Sequence, residues 1–592
     1  MSSEPYLPTR DRLPVPIPPD VDANAIGRQW LASFAQAVDK KDVSALSACI
    51  HPEGWWRDLF ALTWDLRSFH GDAIHTFISE RVFSKTEDLQ FHVDPTQIEE
   101  AALKQPLPDL AWILVQFPFT TKVGQGKGIA YLVPSGPDTW QAFTIATHLI
   151  GLTDHPEITG SLRSFAPNHG KWEEQRRRER DFVDSAPEVL IVGAGHSGLD
   201  TAARLGSLGV KTLVVDKNER VGDNWRGRYE ALCLHDVVWF NHLPYLNFPS
   251  TWPVYIPAKK IADWLEHYVD TMELNTGKWK ATVQNVKTGE ERSFEVDHVV
   301  FALGLAAGRP YFPTIPGQDQ FKGQTLHSME HKSAKDHLGK KVVIIGACTS
   351  AHDIASEYAD FGVDVTIYQR SSTYIMTNKE GMPRLMKPNY WEGGPPIDDA
   401  DRLANSFPVK FSRLFGGRAV KDIMDADKEL LDGLHRVGYR TNEGEGGGLL
   451  WMAIRRGGGY YLDVGACQKI VDGKIKIKND AKLTNFTPTG LQFDNGSHLD
   501  ADVVLFATGF GDFRDVVRPI VGDTVVDRMP PIWGINDEGE IRGVWREIGT
   551  PGLWYMVGNF AWSRFFSRSL ALQIKAKQVG EFGTRYSAPQ TA

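Results

Sequence analysis

Val189-Leu-Ile-Val192-Gly193-Ala-Gly195-His-Ser-Gly198 is a short apolar run that breaks into a glycine-spaced turn. A helix-like stretch follows to about Leu208, and a second apolar run, Thr212 to Val215, ends on Asp216. Strand, glycine turn, helix, strand and terminal acid is the order of a dinucleotide-binding unit. In this reading Gly193 permits the tight turn, Gly195 lets the backbone approach a pyrophosphate and Gly198 lets helix and strand pack closely. The helix N-terminus adds free N–H groups and positive potential for phosphates. Asp216 falls within the spacing of about 20 residues that the fingerprint asks for, and its carboxylate suits the two hydroxyls of an adenosine ribose.

The same order returns downstream. Lys341 to Ile345 reads as a strand, Gly346-Ala-Cys348-Thr-Ser350-Ala351 as the turn, and the helix runs to about Phe361 before a strand from Asp364 to Tyr368. Cys348 and Ala351 stand where the fingerprint has its second and third glycines. The second strand ends in Gln369-Arg370-Ser371-Ser372 rather than in an acid. Arg370 can clamp a phosphate bidentately and Ser371 can donate to it, which selects NADPH over NADH. Each unit is followed by a candidate β-meander, Thr282 to Val300 and Leu483 to Phe506, the latter with Asn495-Gly496 as a hairpin turn. A duplicated unit implies two nucleotide cofactors, FAD in the first and NADPH in the second. The expected binding set in these units is Gly193, Gly195, Gly198, Asp216, Gly346, Ser350, Arg370 and Ser371, to which a resemblance set out below adds Trp225, Gly509 and Asn559.

Composition sets the outer bounds. The 592 residues are 42% hydrophobic and 23% charged, an ordinary globular balance that excludes a disordered or fibrous chain. A net charge of −9 gives no general attraction for nucleic acid. Cys49, Cys233, Cys348 and Cys467 lie far apart and form no CxxC pair, so no adjacent dithiol centre or zinc ribbon is expected, and no metal site. No apolar run is long enough to span a bilayer and the N-terminus lacks a secretory core, so a cytoplasmic protein is expected.

Between the two units and beyond them, further segments resemble the class B flavin-containing monooxygenases. Phe321-Lys-Gly323-Gln-Thr-Leu-His327-Ser-Met-Glu-His331 follows the family signature F-x-G-x-x-x-H-x-x-x-(Y/F) and departs from it at His331. Tryptophan, the mark of the Baeyer–Villiger branch, is absent there. Phe301-Ala-Leu303-Gly304 and Phe506-Ala-Thr508-Gly509 are similar to the family's ATG strand ends, and Asp502 to Gly509 is expected to return the chain to the flavin unit. Gly222-Asp223-Asn-Trp225-Arg226 resembles the flavin-contacting G-G-x-W-R segment. In Leu234-His235-Asp-Val-Val-Trp-Phe-Asn241-His-Leu-Pro-Tyr-Leu-Asn-Phe248-Pro249, counting back from Phe248-Pro249 puts the family's flavin-side asparagine on His235. The auxin-forming plant branch, which oxidatively decarboxylates a 2-oxo acid, carries Leu-His in this register. Gly558-Asn559 before a terminal helix resembles the closing segment at the flavin pyrimidine edge.

The resemblance covers about residues 186 to 580. It implies FAD, NADPH and O2 as reactants, a small-molecule substrate, and His235 and Trp225 beside the chemistry. Oxygenation at nitrogen or sulfur and decarboxylation of a 2-oxo acid both stay open. So do two rivals, a flavin-dependent NADPH oxidase or reductase and a non-enzymatic FAD-binding redox sensor.

Ahead of these units, Asp22 to about Ile50 has helical spacing, and Gln90 to Val93, Trp112 to Thr120, Lys127 to Val133 and Trp140 to Ile145 read as strands. The pattern resembles the cone-shaped α+β fold of polyketide-cyclase-like proteins. The fold class is therefore α/β, with two Rossmann-like units in a disulfide-reductase-like arrangement behind an N-terminal α+β cone. The expected divisions are 1–165 for the cone and its extended arm, 166–185 for a charged linker, 186–338 for the first part of the FAD unit, 339–495 for the NADPH unit with an insertion, and 496–592 for the second part of the FAD unit. A homodimer is left open.

Overall fold

The structure, a computed structural model, describes residues 4–84, 89–99, 101–277, 289, 293, 295–304 and 309–588. The meander expected at Thr282 to Val300 lies largely outside them.

At the N-terminal end, Asp22 caps the helix Ala23–Asp39 by accepting from the Ala25 N–H (3.0 Å), and Asp42 caps Val43–Ala48 through Ala45 (2.9 Å). A six-stranded sheet follows, ordered Leu66–His70, Ile50–Leu59, Thr139–Leu152, Gly124–Gly136, Leu110–Thr120, Ala102–Leu107. All neighbours pair antiparallel except Ile50–Leu59 with Thr139–Leu152. The strand expected at Gln90 to Val93 does not form. His92 makes only an isolated bridge to Thr120 there.

The central strands Leu110–Thr120, Gly124–Gly136 and Thr139–Leu152 are buried on both faces over most of their length, so they read as largely apolar runs rather than alternating ones, while the edge strand Ala102–Leu107 is mostly exposed. Helix-side rings Phe34, Trp56 and Phe77 pack together on one face. On the other, Tyr131 meets Phe407 at 4.5 Å, Phe143 meets Phe411 at 5.9 Å and His148 meets Phe565 at 4.6 Å, all partners from the last third of the chain. A buried fork seals this contact: Arg57 donates to both Glu540 oxygens (2.8 and 2.7 Å) and to the Asn405 carbonyl (2.7 Å). Arg67 does the same with Glu538, and the Tyr586 N–H donates to the Thr63 carbonyl (2.8 Å), tying down the C-terminal segment. The charged run between the units forms the exposed helix Trp172–Arg180, with Arg177 paired to Glu174.

Two five-stranded parallel sheets follow. The first is ordered Leu553–Tyr555, His298–Phe301, Val189–Val192, Thr212–Val215, Thr276–Gly277, and the second Gln324–His327, Val503–Phe506, Lys341–Ile345, Asp364–Tyr368, Lys476–Lys478. In each, the strand entering the glycine turn sits where the order reverses, the switch point at which such sheets bind ligands. The Asp502 to Gly509 segment departs from its expected place: Val503–Phe506 pairs within the second sheet, and Leu553–Tyr555 is the strand that returns to the first. The apolar run of Val503–Phe506 suits either buried sheet, so only its partners decide.

Each of the two sheets has the same kind of backbone crossing. Gly193 (φ +115°) would place a Cβ 2.4 Å from the Ala302 carbonyl oxygen, and Gly346 (φ +123°) would place one 2.3 Å from that of Ala507. Both glycines are thus fixed by the strand end passing beneath them, and both strand ends carry the Phe-Ala pair noted in the sequence. The stretch Asn378 to Cys467 forms helices around a parallel sheet of Thr441–Asn442, Thr373–Thr377 and Tyr460–Asp463, and its helix Val409–Ala426 is the surface on which the N-terminal sheet rests.

Candidate active site

The first glycine turn opens on a cleft of about 1030 Å³ lined by Ala194, Asp216, Arg220, Trp252, Lys260 and Trp264. Asp216 accepts from the Ala194 N–H (2.7 Å) and the Asn218 N–H (2.8 Å), so it braces the turn while keeping lone pairs for a ribose. Gly198 is a packing position, since a Cβ there would lie 1.9 Å from the Gly193 carbonyl oxygen. Gly195 is different in kind. Its φ is −78°, open to any residue, and the nearest atom to an added Cβ would be Asn224 Nδ2 at 3.4 Å. The chain itself does not need a glycine at this position; the pyrophosphate of a dinucleotide would. Another hollow, about 480 Å³, lies under the linker helix between Arg176, Tyr245 and Asn275, away from both glycine turns.

Trp225 sits on the short helix Asp223–Arg226, entered through Gly222, whose φ of +87° and 2.5 Å approach to the Ala262 carbonyl oxygen admit only glycine. Its ring stacks at 5.9 Å on Phe560, and its buried Nε1 has no partner. His196, inside the glycine turn, stacks on the same Phe560 at 4.3 Å and meets the Gly558 carbonyl through Nε2 (3.0 Å). Burial pulls His196 down to about 4, against the pull of that carbonyl. Asn559 caps the helix Phe560–Gln578 by accepting from the Trp562 N–H (3.0 Å). Glycine turn, Trp225 and the N-terminus of the last helix therefore converge on one spot. Orphan indole and imidazole nitrogens there fit a polar aromatic group such as an isoalloxazine edge.

The second turn faces the first unit across Tyr229 and His235. Asp353, in the first turns of the helix Thr349–Asp360, accepts from the Tyr229 hydroxyl (2.8 Å) and pairs with His235 Nε2 (3.3 Å). Burial pulls His235 towards neutrality, but the Asp353 bond and charge, with Asp236 adjacent, outweigh it and raise its pKa. The Leu462 carbonyl also favours the charged ring, although His235 Nδ1 makes no hydrogen bond of proper geometry. Asp236 is pushed up to about 6 by burial, opposed by His235. Ser350 lies beside the Tyr229 hydroxyl, while Cys348 is held as a thiol by burial.

Arg370 and Ser371 are exposed at the end of Asp364–Tyr368. Gly509 (φ +78°) follows Val503–Phe506, and its carbonyl meets His327 Nε2 at 3.1 Å. His331 replaces the signature aromatic as a buried group bonded to Glu357 (3.1 Å). It is packed inside the second unit, away from the turn. Sequence reasoning passed over His196, Asp353 and Arg564. Arg564 is buried against Asp401 and donates to the Phe240 and His242 carbonyls (3.0 and 2.6 Å), fixing the segment after His235. Asp353 had one signal, an acid in the first turns of a nucleotide-binding helix. Among the described residues no helix is long and apolar enough to cross a membrane, and the four cysteines are unpaired.

The pyridine nucleotide-disulphide oxidoreductase family matches residues 187–387. Among curated proteins, the chain is 26% identical over 342 residues to the probable indole-3-pyruvate monooxygenase YUCCA10 of Arabidopsis thaliana, covering 54% of this chain and 81% of that one. It is 28% identical over 347 residues to the indole-3-pyruvate monooxygenase YUCCA1 of Oryza sativa subsp. japonica, covering 57% and 79%. A flavin-containing monooxygenase structure from Stenotrophomonas maltophilia aligns with a TM-score of 0.44 at 15% identity, over 66% of this chain and 98% of that one.

Proposed function

We propose that this chain is, over its residues 186 to 580, a class B flavin monooxygenase that uses FAD and NADPH to place one atom of dioxygen on a small organic substrate. The observation that carries the reading is the pair of glycine turns at two sheet switch points, with Gly195 left open where a pyrophosphate would pass. A bound flavin would supply hydride acceptance from the nicotinamide and activation of dioxygen. The chain's own residues hold and shield. Asp216 would take the adenosine ribose and repel a 2′-phosphate, directing FAD to the first unit. Arg370 and Ser371 would take that phosphate in the second. Phe560, Trp225 and His196, stacked together at the N-terminus of the last helix, would shield the flavin there from water, which protects reactive oxygen chemistry. The unpaired N–H groups of the last helix favour negative charge there.

His235 lies between the units, and Asp353 stabilises its charged form. An imidazolium at this place suits an anionic substrate better than an amine. We therefore favour a 2-oxo acid, in keeping with the Leu-His register and with the named substrate of the plant relatives. The test is turnover with isotope-labelled dioxygen against 2-oxo acids, amines and thioethers. One labelled oxygen in the product, with NADPH consumed one to one, is expected. NADPH consumption yielding only hydrogen peroxide with every substrate would overturn the monooxygenase reading in favour of an oxidase.

A further inference from the structure

The loop Gln369-Arg370-Ser371-Ser372 is braced by a residue 71 positions downstream. The buried Gln369 side chain grips the Arg440 backbone from both sides: its Nε2 donates to the Arg440 carbonyl (2.8 Å) and its Oε1 accepts from the Arg440 N–H (2.9 Å). The Arg440 guanidinium turns back on the same loop, one nitrogen donating to the Gln369 carbonyl (2.9 Å) and to the Arg370 carbonyl (3.1 Å). Asn442 Nδ2 adds a bond to Ser372 Oγ (3.0 Å). Arg440 is thus held at the backbone and at the tip, while its remaining guanidinium donors have no protein partner among the described residues.

Neither Arg370 nor Arg440 has a carboxylate within ion-pair distance among the described residues. Arg177, Arg178, Arg418 and Arg455, also exposed, do pair with carboxylates. Positive charge therefore gathers at this loop, where Arg440 bonds the Arg370 backbone carbonyl, with no carboxylate paired to either side chain, and a dianion bound there would supply the missing countercharge.

We propose that Arg440 is a second specificity-determining residue of the coenzyme site, supplied by the insertion and acting with Arg370 on the 2′-phosphate of NADPH. Through its bonds to the loop carbonyls it also orients Arg370. The inference rests on the NADPH reading above and goes beyond it by naming a residue outside the nucleotide-binding unit's own strand–turn–helix–strand segment.

The test is calorimetric binding of 2′,5′-ADP and of 5′-AMP to the flavin-loaded chain, which reads phosphate recognition without turnover. Arg440→Ala is expected to weaken 2′,5′-ADP by about tenfold or more, the worth of one charge-assisted hydrogen bond, and to leave 5′-AMP unchanged. Arg440→Lys keeps a charge and the apolar stem and covers the case in which the alanine variant loses the fold. It is expected to weaken 2′,5′-ADP by about threefold, for loss of the planar fork. Equal weakening of both ligands would make Arg440 a structural brace only, and an unchanged preference would remove it from the site. A wild-type chain that binds 5′-AMP and 2′,5′-ADP equally would sink the NADPH reading itself.

Discussion

Replacing Gly195 with alanine separates what the fold needs from what the cofactor needs. At this position φ is −78° and the added methyl would meet only Asn224 Nδ2 at 3.4 Å, so the protein accommodates it. Loss of glycine freedom in the unfolded chain stabilises by about 0.4–1 kcal/mol. Alanine is a poorer helix cap than glycine, and Gly195 is the cap of His196–Ser207, which costs about as much. The two nearly cancel, so the melting temperature of the apoprotein should move by no more than about 4 °C. The pyrophosphate would have to share its space with a methyl group. Overpacking of that size costs about 1–3 kcal/mol, or about 5- to 150-fold in FAD affinity. Apoprotein melting and FAD titration by flavin fluorescence measure the two quantities separately. Gly198→Ala is the control: its Cβ would fall 1.9 Å from the Gly193 carbonyl oxygen, and the fold should be lost. A Gly195→Ala protein that keeps full FAD affinity would refute the placement of pyrophosphate at this turn. One that melts far lower would show that the glycine serves packing after all.

Three further outcomes are expected. Asp353→Asn should lower the His235 pKa, read by NMR titration with the resonance assigned from His235→Gln. Because folding raises the His235 pKa, the ion pair's stabilisation is complete below about 6.5 and is lost as pH rises through the folded value, so the variant should flatten that part of the stability profile. His196, held near 4 in the fold, takes up its proton on unfolding. Stability and flavin retention should therefore rise with pH between about 4 and 6.5, and His196→Phe should remove that slope in equilibrium unfolding. Arg57→Ala should cost about 3–5 kcal/mol in urea unfolding by stranding buried Glu540, and Arg57→Met with Glu540→Leu should recover most of it.

The first unit was legible because its chemistry is local. Turn glycines, strand ends and Asp216 lie within one short stretch, and the structure supplies the reason: the strand end at Ala302 passes directly under Gly193. What the sequence hid are partners joined across long separations. Nothing near Gln369 points to Arg440, and nothing near His235 points to Asp353, because each pair meets only once the sheets have formed. Sheet membership of Val503–Phe506 was lost for the same reason, since an apolar strand of four residues fits either sheet. Three of the six N-terminal strands were legible; Ile50–Leu59, Leu66–His70 and Ala102–Leu107 were not, and neither was the role of the sheet. Burial of the central strands on both faces erases the alternation that would have told inside from outside, and nothing local to Arg57 and Arg67 points to their partners Glu540 and Glu538 far downstream.

That two-sided burial makes the first 150 residues part of the wall of the nucleotide-binding units. Cut away at the gene, they would uncover Phe407, Phe411 and Phe565 together with a stranded Glu540, and the remainder should come out of solution before it could be assayed. Cut at the exposed linker helix by a protease, the same chain should stay in one piece, because the rings and forks that join its halves do not depend on the connecting backbone. Covalent continuity and physical continuity part company here: a nicked molecule should elute as a single species and split only in denaturant.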